Sequence, residues 1–209
     1  MARALRELPE RWLPEDAGQI WVWSDLHLGH ENIIGYRNRP FRNAGQMDNV
    51  LLDNWAQTVD WSAENDAIIV CGDIAMKRGM TKANFDRIRS MPGKKYLVPG
   101  NHDFGCGGEL RVEGFDEVCA ILYAEGDPKL IFTHVPLPAG QLPPGWVNVH
   151  GHMHDDPPAD TPHVNVSVEQ LDYLPVLLSR IRLLAAALAQ GEYPEGQTTL
   201  ERIEALEAE

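Results

Sequence analysis

The side chains best suited to hold metal ions fall in five short segments: Asp25-Leu26-His27, Gly72-Asp73, Gly100-Asn101-His102-Asp103, Thr133-His134 and Gly151-His152-Met153-His154. Asp25 and His27 are two residues apart, so in an extended segment their side chains point to one side and can reach one ion. Asp73 follows a glycine that lets the backbone turn sharply. Its two oxygens can bridge two cations, or the residue caps a helix beginning near Ile74. If the amide oxygen of Asn101 faces a metal, His102 points towards a substrate and Asp103 orients its imidazole; an Asx-type turn with a surface histidine is the alternative. His150, His152 and His154 alternate, and spacing does not fix which of them bind metal. Six of the eight histidines lie at the ends of apolar runs, which core packing explains poorly, because a buried neutral imidazole needs a partner for each ring nitrogen. Oxygen and nitrogen donors with no thiolate nearby suit two divalent ions of the borderline class, manganese first, with iron, zinc, cobalt or nickel as alternatives, better than a magnesium-only or calcium site.

Short strands must carry these segments. Apolar runs at residues 20–24, 67–71, 96–98, 130–132 and 147–149 each lead into a ligand segment, and 164–168 reads as a sixth strand. Met47, Val50, Leu51, Leu52 and Trp55 recur at helical spacing, and residues 81–90 form a more polar helix with Phe85 and Ile88 on one face. Strands alternating with helices predict a layered α/β domain, with loops at 35–46, 105–114, 136–145 and 155–162 around the site. After Pro175, the residues Leu177, Leu178, Ile181, Leu184, Ala185 and Leu188 predict an amphipathic packing helix that Gly191 stops.

With 209 residues, 44% of them hydrophobic, the chain has material for one substantial core. Residues 1–191 are expected to form a single domain and 192–209 an acidic tail or short helix, where Thr198 and Glu201 make a possible capping box. A formal charge of -13 works against general attraction to nucleic acid or anionic lipid. Cys71, Cys106 and Cys119 lack a C-x-x-C pairing and read as free thiols. Charged residues and prolines break up the first twenty positions, and no stretch approaches the roughly 20 apolar residues of a membrane span, so the expectation is a soluble cytoplasmic protein.

The order D-x-H, G-D, G-N-H-D, H, G-H-x-H resembles the calcineurin-like metallophosphoesterase superfamily across residues 20–154, with no ligand position missing. The stretch SDLHLGHENIIGYRNRPF at 24–41 also resembles a bacterial and phage branch of predicted phosphoesterases whose substrates are unsettled. The resemblance implies a four-layer α/β/β/α sandwich with two metals between loops at the sheet ends. One ion would take Asp25, His27, Asp73 and His154; the other would take Asp73, Asn101, His134 and His152, with Asp73 as the bridge. A hydroxide held between the ions would attack phosphorus in line. His102 would stabilise the transition state or protonate the leaving oxygen, with Asp103 holding its ring. The implied substrate is a phosphorylated small molecule or nucleotide, monoester or diester. A nuclease, a cyclic-nucleotide phosphodiesterase and a non-catalytic binding protein on the same fold are the alternatives.

Several residues lie outside that pattern. Arg37, Arg39 and Arg42 either grip substrate phosphate or pair with acids such as Glu31 and Asp48, and His30 and Asn32 make either a substrate or a turn contact. Lys77, Arg78, Lys82, Arg87, Arg89, Lys94 and Lys95 outnumber Asp86 by six charges, a track for a polyanion or, preferably, a solvated face. Trp21, Trp23, Trp55 and Trp61 read as core rather than base-stacking residues.

Overall fold

The computed structural model describes residues 8–14, 17–59, 65–76, 78–158 and 161–208; Trp61 and Lys77 lie outside the described residues. In chain order the elements are β1 (Glu10–Trp12), β2 (Ile20–Trp23), α1 (Glu31–Tyr36), α2 (Ala44–Thr58), β3 (Ala67–Val70), α3 (Lys82–Ser90), β4 (Lys94–Leu97) and β5 (Glu117–Val118). There follow β6 (Ile121–Ala124), β7 (Lys129–Thr133), β8 (Trp146–His150), β9 (His163–Asn165), β10 (Val176–Leu177), α4 (Leu178–Ala189) and α5 (Thr199–Glu207). The strands make two five-stranded sheets, ordered β10-β2-β3-β4-β5 and β1-β6-β7-β8-β9. Pairing is parallel except at β10–β2 and β6–β7. The result is the mixed α/β sandwich that the alternation of strands and helices predicts.

Parallel registers place the ligand segments. Trp23 lies beside Val70, and Val70 beside Leu97, so the first three ligand segments leave one sheet at the same edge. In the other sheet Thr133 lies beside His150 and His150 beside Asn165. The carboxyl ends of parallel strands are where open α/β sheets hold their ligands. An isolated parallel bridge between Ser24 and Ser167 ties the two edges together.

One buried apolar cluster takes in residues of both sheets and of the helices. Trp21, Trp23 and Trp55 belong to it as expected, with Trp23 edge-on to Trp55 at 5.7 Å, joining β2 to α2. The indole N–H of Trp55 donates to Pro92 O at 3.2 Å, so the large ring is buried with its polar atom satisfied. Asn43 and Thr81 cap α2 and α3 by accepting from Gln46 N–H and Asn84 N–H, each contributing about 1 kcal/mol. The region 35–46, expected as loop, is partly helical, because α1 extends through Tyr36 and α2 begins at Ala44. Residues 164–168 form a strand only to Asn165, after which Val168–Gln170 makes a single 3-10 turn.

Helix α4 touches strands of both sheets and stops where Gly191, at φ +79°, donates to Leu188 O. The segment after it is docked: α5 has the full capping box of Thr198 and Glu201 and buries Ile203. The Thr199 hydroxyl donates to Asn165 O at 2.7 Å and its N–H to Gln170 Oε1 at 2.9 Å. Among the described residues no helix is long and apolar enough to cross a membrane.

Candidate metal centre

Asp25, Asp73, His134 and His154 each present one atom inward while another is held by the protein. Asp25 Oδ2 accepts from Ser167 Oγ–H and His152 N–H, both at 2.9 Å, and its Oδ1 is buried without a partner. Asp73 Oδ1 accepts from His102 N–H at 2.9 Å, while Oδ2 lies 3.5 Å from His27 Nε2, 3.3 Å from His134 Nε2 and 3.9 Å from His102 Nε2. His134 donates Nδ1–H to Cys71 O at 2.7 Å and His154 donates Nδ1–H to Glu169 Oε1 at 3.1 Å. Because those acceptors have no hydrogen to give, each tautomer is fixed with Nε2 left for another partner. Three groups result, Asp25/His27/His154, His27/Asp73/His102 and Asp73/His134/His152, with ligand atoms within 4.8 Å of one another in each. Asn101 joins the third, its Oδ1 3.1 Å from His134 Nε2.

The backbone reaches this arrangement by an unusual route. Asp25, His27, Asp73, His152 and His154 have φ between +51° and +71°, left-handed values that cost a non-glycine residue of the order of 1–3 kcal/mol. Asp25 and His27 therefore share a side through two left-handed residues around a fully buried Leu26, not through the extended chain expected. Gly72 and Gly151 make the loops fit. A Cβ at Gly72 would strike Gly100 and His134, and one at Gly151 would strike Ser24 and Asp25.

Asp103 corrects another expectation. Its carboxylate accepts from the N–H groups of Gly100, Asp73 and Ile74 at 2.8–2.9 Å, so it clamps two ligand loops together. The carboxylate nearest the His102 imidazole is that of Asp73.

Electrostatics follow from burial within a ring of opposite charges. Burial pushes the Asp73 carboxyl upward, but His134 and His27 outweigh it and hold the group well below the usual carboxylate range. Burial and the Asp73 charge raise Asp103 to about 7. Burial holds His27 well below its usual value, so its imidazole is neutral with a lone pair to give. Burial also disfavours charge on His134, yet Asp73 and Asp25 raise it to about 9.

The remaining candidates separate clearly. His150 turns away from the centre, its Nδ1 2.8 Å from Gly151 O and its ring 5.8 Å from His163, and burial lowers it to about 4. Arg39, expected as a substrate contact, is 3% exposed and donates to Asp25 O, Leu26 O and Glu169 Oε1. Its guanidinium braces the first chelating turn from behind. Arg37, for which the sequence leaves a substrate grip and an acid pair both open, takes the acid pair, with Asp155 and Asp156 at 2.8 and 3.1 Å in place of Glu31 or Asp48. Asp48, expected as an arginine partner, accepts from Gly29 N–H. His30 stays beside the centre, its ring 5.5 Å from that of His27. Three of the six described basic residues of this stretch pair with acids from outside it: Arg89 with Glu113, Lys95 with Asp116 and Lys94 with Glu117.

Residues 18–181, which contain every residue of this centre, match the family described as calcineurin-like phosphoesterase. The chain belongs to that family. An uncharacterized protein of Methanocaldococcus jannaschii is 32% identical to this calcineurin-like phosphoesterase over 171 residues, covering 78% of this chain and 89% of its own. The Gene 66 protein of Mycobacterium phage L5 is 34% identical over 86 residues, 40% of this chain and 39% of the phage protein. A solved protein of unknown function from Aquifex aeolicus shares the fold with a TM-score of 0.63 at 23% identity, covering 79% of this chain and 98% of its own.

In this calcineurin-like phosphoesterase, Glu169 and Ser167 escaped the sequence reading. Ser167 is buried and the Glu169 side chain is only 4% exposed, and they hold the ligand-type side chains of Asp25 and His154 respectively. A serine and a glutamate within Ser-Val-Glu-Gln give no spacing signal; only the Ser24–Ser167 bridge and the turn at 168–170 bring them to the centre.

Proposed function

We propose that the chain hydrolyses a phosphate ester at a pair of divalent ions, manganese first among the borderline metals. The carrying observation is the position of Asp73 Oδ2 between His27 Nε2 and His134 Nε2. Asp25 and His154 complete one side; Asn101 and His152 complete the other. The donor set fits a cation on its own evidence. Asp25 Oδ1 and both nitrogens of His27 are buried without hydrogen-bond partners, and leaving such atoms bare costs about 1–3 kcal/mol each. His152 Nδ1 and His134 Nε2 face each other across 3.2 Å, an approach that needs a proton or a metal between the lone pairs.

When bound, the ions would neutralise phosphoryl oxygens and lower the pKa of a water. The chain supplies the rest. Asp73 and Asp25 fix the spacing through their held oxygens, and Arg39 and Glu169 keep the first turn and His154 in place. His102, its side chain 38% exposed at the rim, is the group placed to give a proton to the leaving oxygen. Paired basic residues on α3 and β4 favour a small phosphorylated molecule or nucleotide over a nucleic-acid track.

The test is hydrolysis of aryl phosphomonoesters and phosphodiesters by manganese-loaded protein, with loss on EDTA treatment and recovery on adding manganese back. Inactivity across a broad phosphoester panel with metal bound would overturn this function.

A further inference from the structure

Beside the centre lies an open pocket of about 320 Å³ lined by Gly29, His30, Glu31, Asn32, Met76 and Arg78. That volume is near the roughly 300 Å³ lower bound of small-molecule sites. Its walls continue the two chelating loops. His27 N–H and Leu28 N–H donate to Asp73 O and Ile74 O, Met76 N–H donates to Leu28 O, and the pocket residues follow directly on both sides. The His30 ring lies 5.5 Å from that of His27, which is itself 5.2 Å from that of His102. A substrate with its phosphoryl group at the metals therefore has this pocket on the side where His27 and His102 stand.

Two features show what the pocket would take. Arg78 is exposed, and among the described residues no carboxylate lies within ion-pair distance of it. Arg42 and Arg87 are likewise without an ion pair among the described residues, but Arg78 is the one in the wall of this pocket, where it is an available guanidinium fork. Glu31, the acid on the wall, is turned to the start of α2, where its Oε2 accepts from Ala44 N–H at 2.8 Å. A guanidinium with no counter-charge, in a wall whose one acid is turned away, matches a phosphate or similar anion.

We propose that this pocket is the leaving-group subsite, and that Arg78 binds a second anionic group there, as in a diphosphate ester whose terminal phosphate is cleaved. The assignment rests on the phosphoesterase reading and names its substrate class.

Adenosine diphosphate serves as a probe carrying a second phosphate, and inorganic phosphate as a probe of the metals alone. Calorimetry on manganese-loaded wild-type and Arg78→Ala protein should show adenosine diphosphate binding weakened about 10- to 100-fold, the worth of one or two charge-assisted hydrogen bonds. Phosphate binding should change less than about 3-fold. In turnover, KM for the diphosphate should rise while kcat and the hydrolysis of p-nitrophenyl phosphate hold, and Arg78→Lys should restore part of the loss. Equal weakening of both probes, unchanged diphosphate binding, or no diphosphate binding by the wild type would each overturn the subsite. If the wild type cleaves no phosphoester yet loses diphosphate affinity on Arg78→Ala, the anion site at Arg78 stands, and the hydrolytic reading falls together with the leaving-group assignment.

Discussion

Asp73 concentrates the site's chemistry in one side chain, with one oxygen tied to the His102 N–H and the other facing three imidazoles. Asp73→Asn should therefore reduce the metal content on both sides of the residue, measured by mass spectrometry of the purified protein, whereas loss of a single ion would show that it does not bridge. His102→Ala should retain both metals and slow turnover by about 100-fold or more; turnover at the wild-type rate would remove His102 from proton transfer. Glu169→Gln keeps an acceptor for His154 Nδ1–H but removes the charge that raises the basicity of its ring, and should weaken metal binding by about 10- to 100-fold with little change in fold. The convergence of the ligand segments was legible in sequence because carboxylate, amide and imidazole side chains in that order have few other uses. The roles of Arg39, Asp103 and Glu169 were not. Their partners are backbone groups and side chains set by loop geometry, and Arg39 bonds Glu169 across 130 residues.

At the scale of elements, long and apolar segments were readable and short or edge-lying ones were not. β3, buried at all four positions, and α4, with its apolar face and glycine stop, carry their own signals. β5 and β10 are two residues each, and β1 is exposed at all three positions; such strands exist because a neighbour pairs with them, not through their own pattern. The loops between elements tolerate less than their polarity suggests. Gly151→Ala would press a methyl group onto Ser24 and Asp25, at a cost of about 1–3 kcal/mol. A melting temperature lowered by about 2–10 °C is expected, and an unchanged melting curve would mean that the loop has room to move.

Across the whole molecule, the docked C-terminal helix connects to the centre through a short chain of hydrogen bonds. Thr199 on α5 holds Asn165 O and Gln170 Oε1, and the side-chain amides of Asn165 and Gln170 both donate to His154 O. Thr199→Val keeps the shape and removes the hydroxyl bond, so it should loosen the His154 loop and lower metal affinity several-fold by calorimetry. The left-handed backbone at five ligand-type residues has an opposite consequence for stability. Conformational strain held for the sake of metal binding is relieved by glycine, so in metal-free protein His152→Gly should melt at a higher temperature than the parent while binding metal more weakly. On that expectation the wild-type chain would give up resilience when empty and regain it on binding ions, and metal supply would then also set how much folded protein persists.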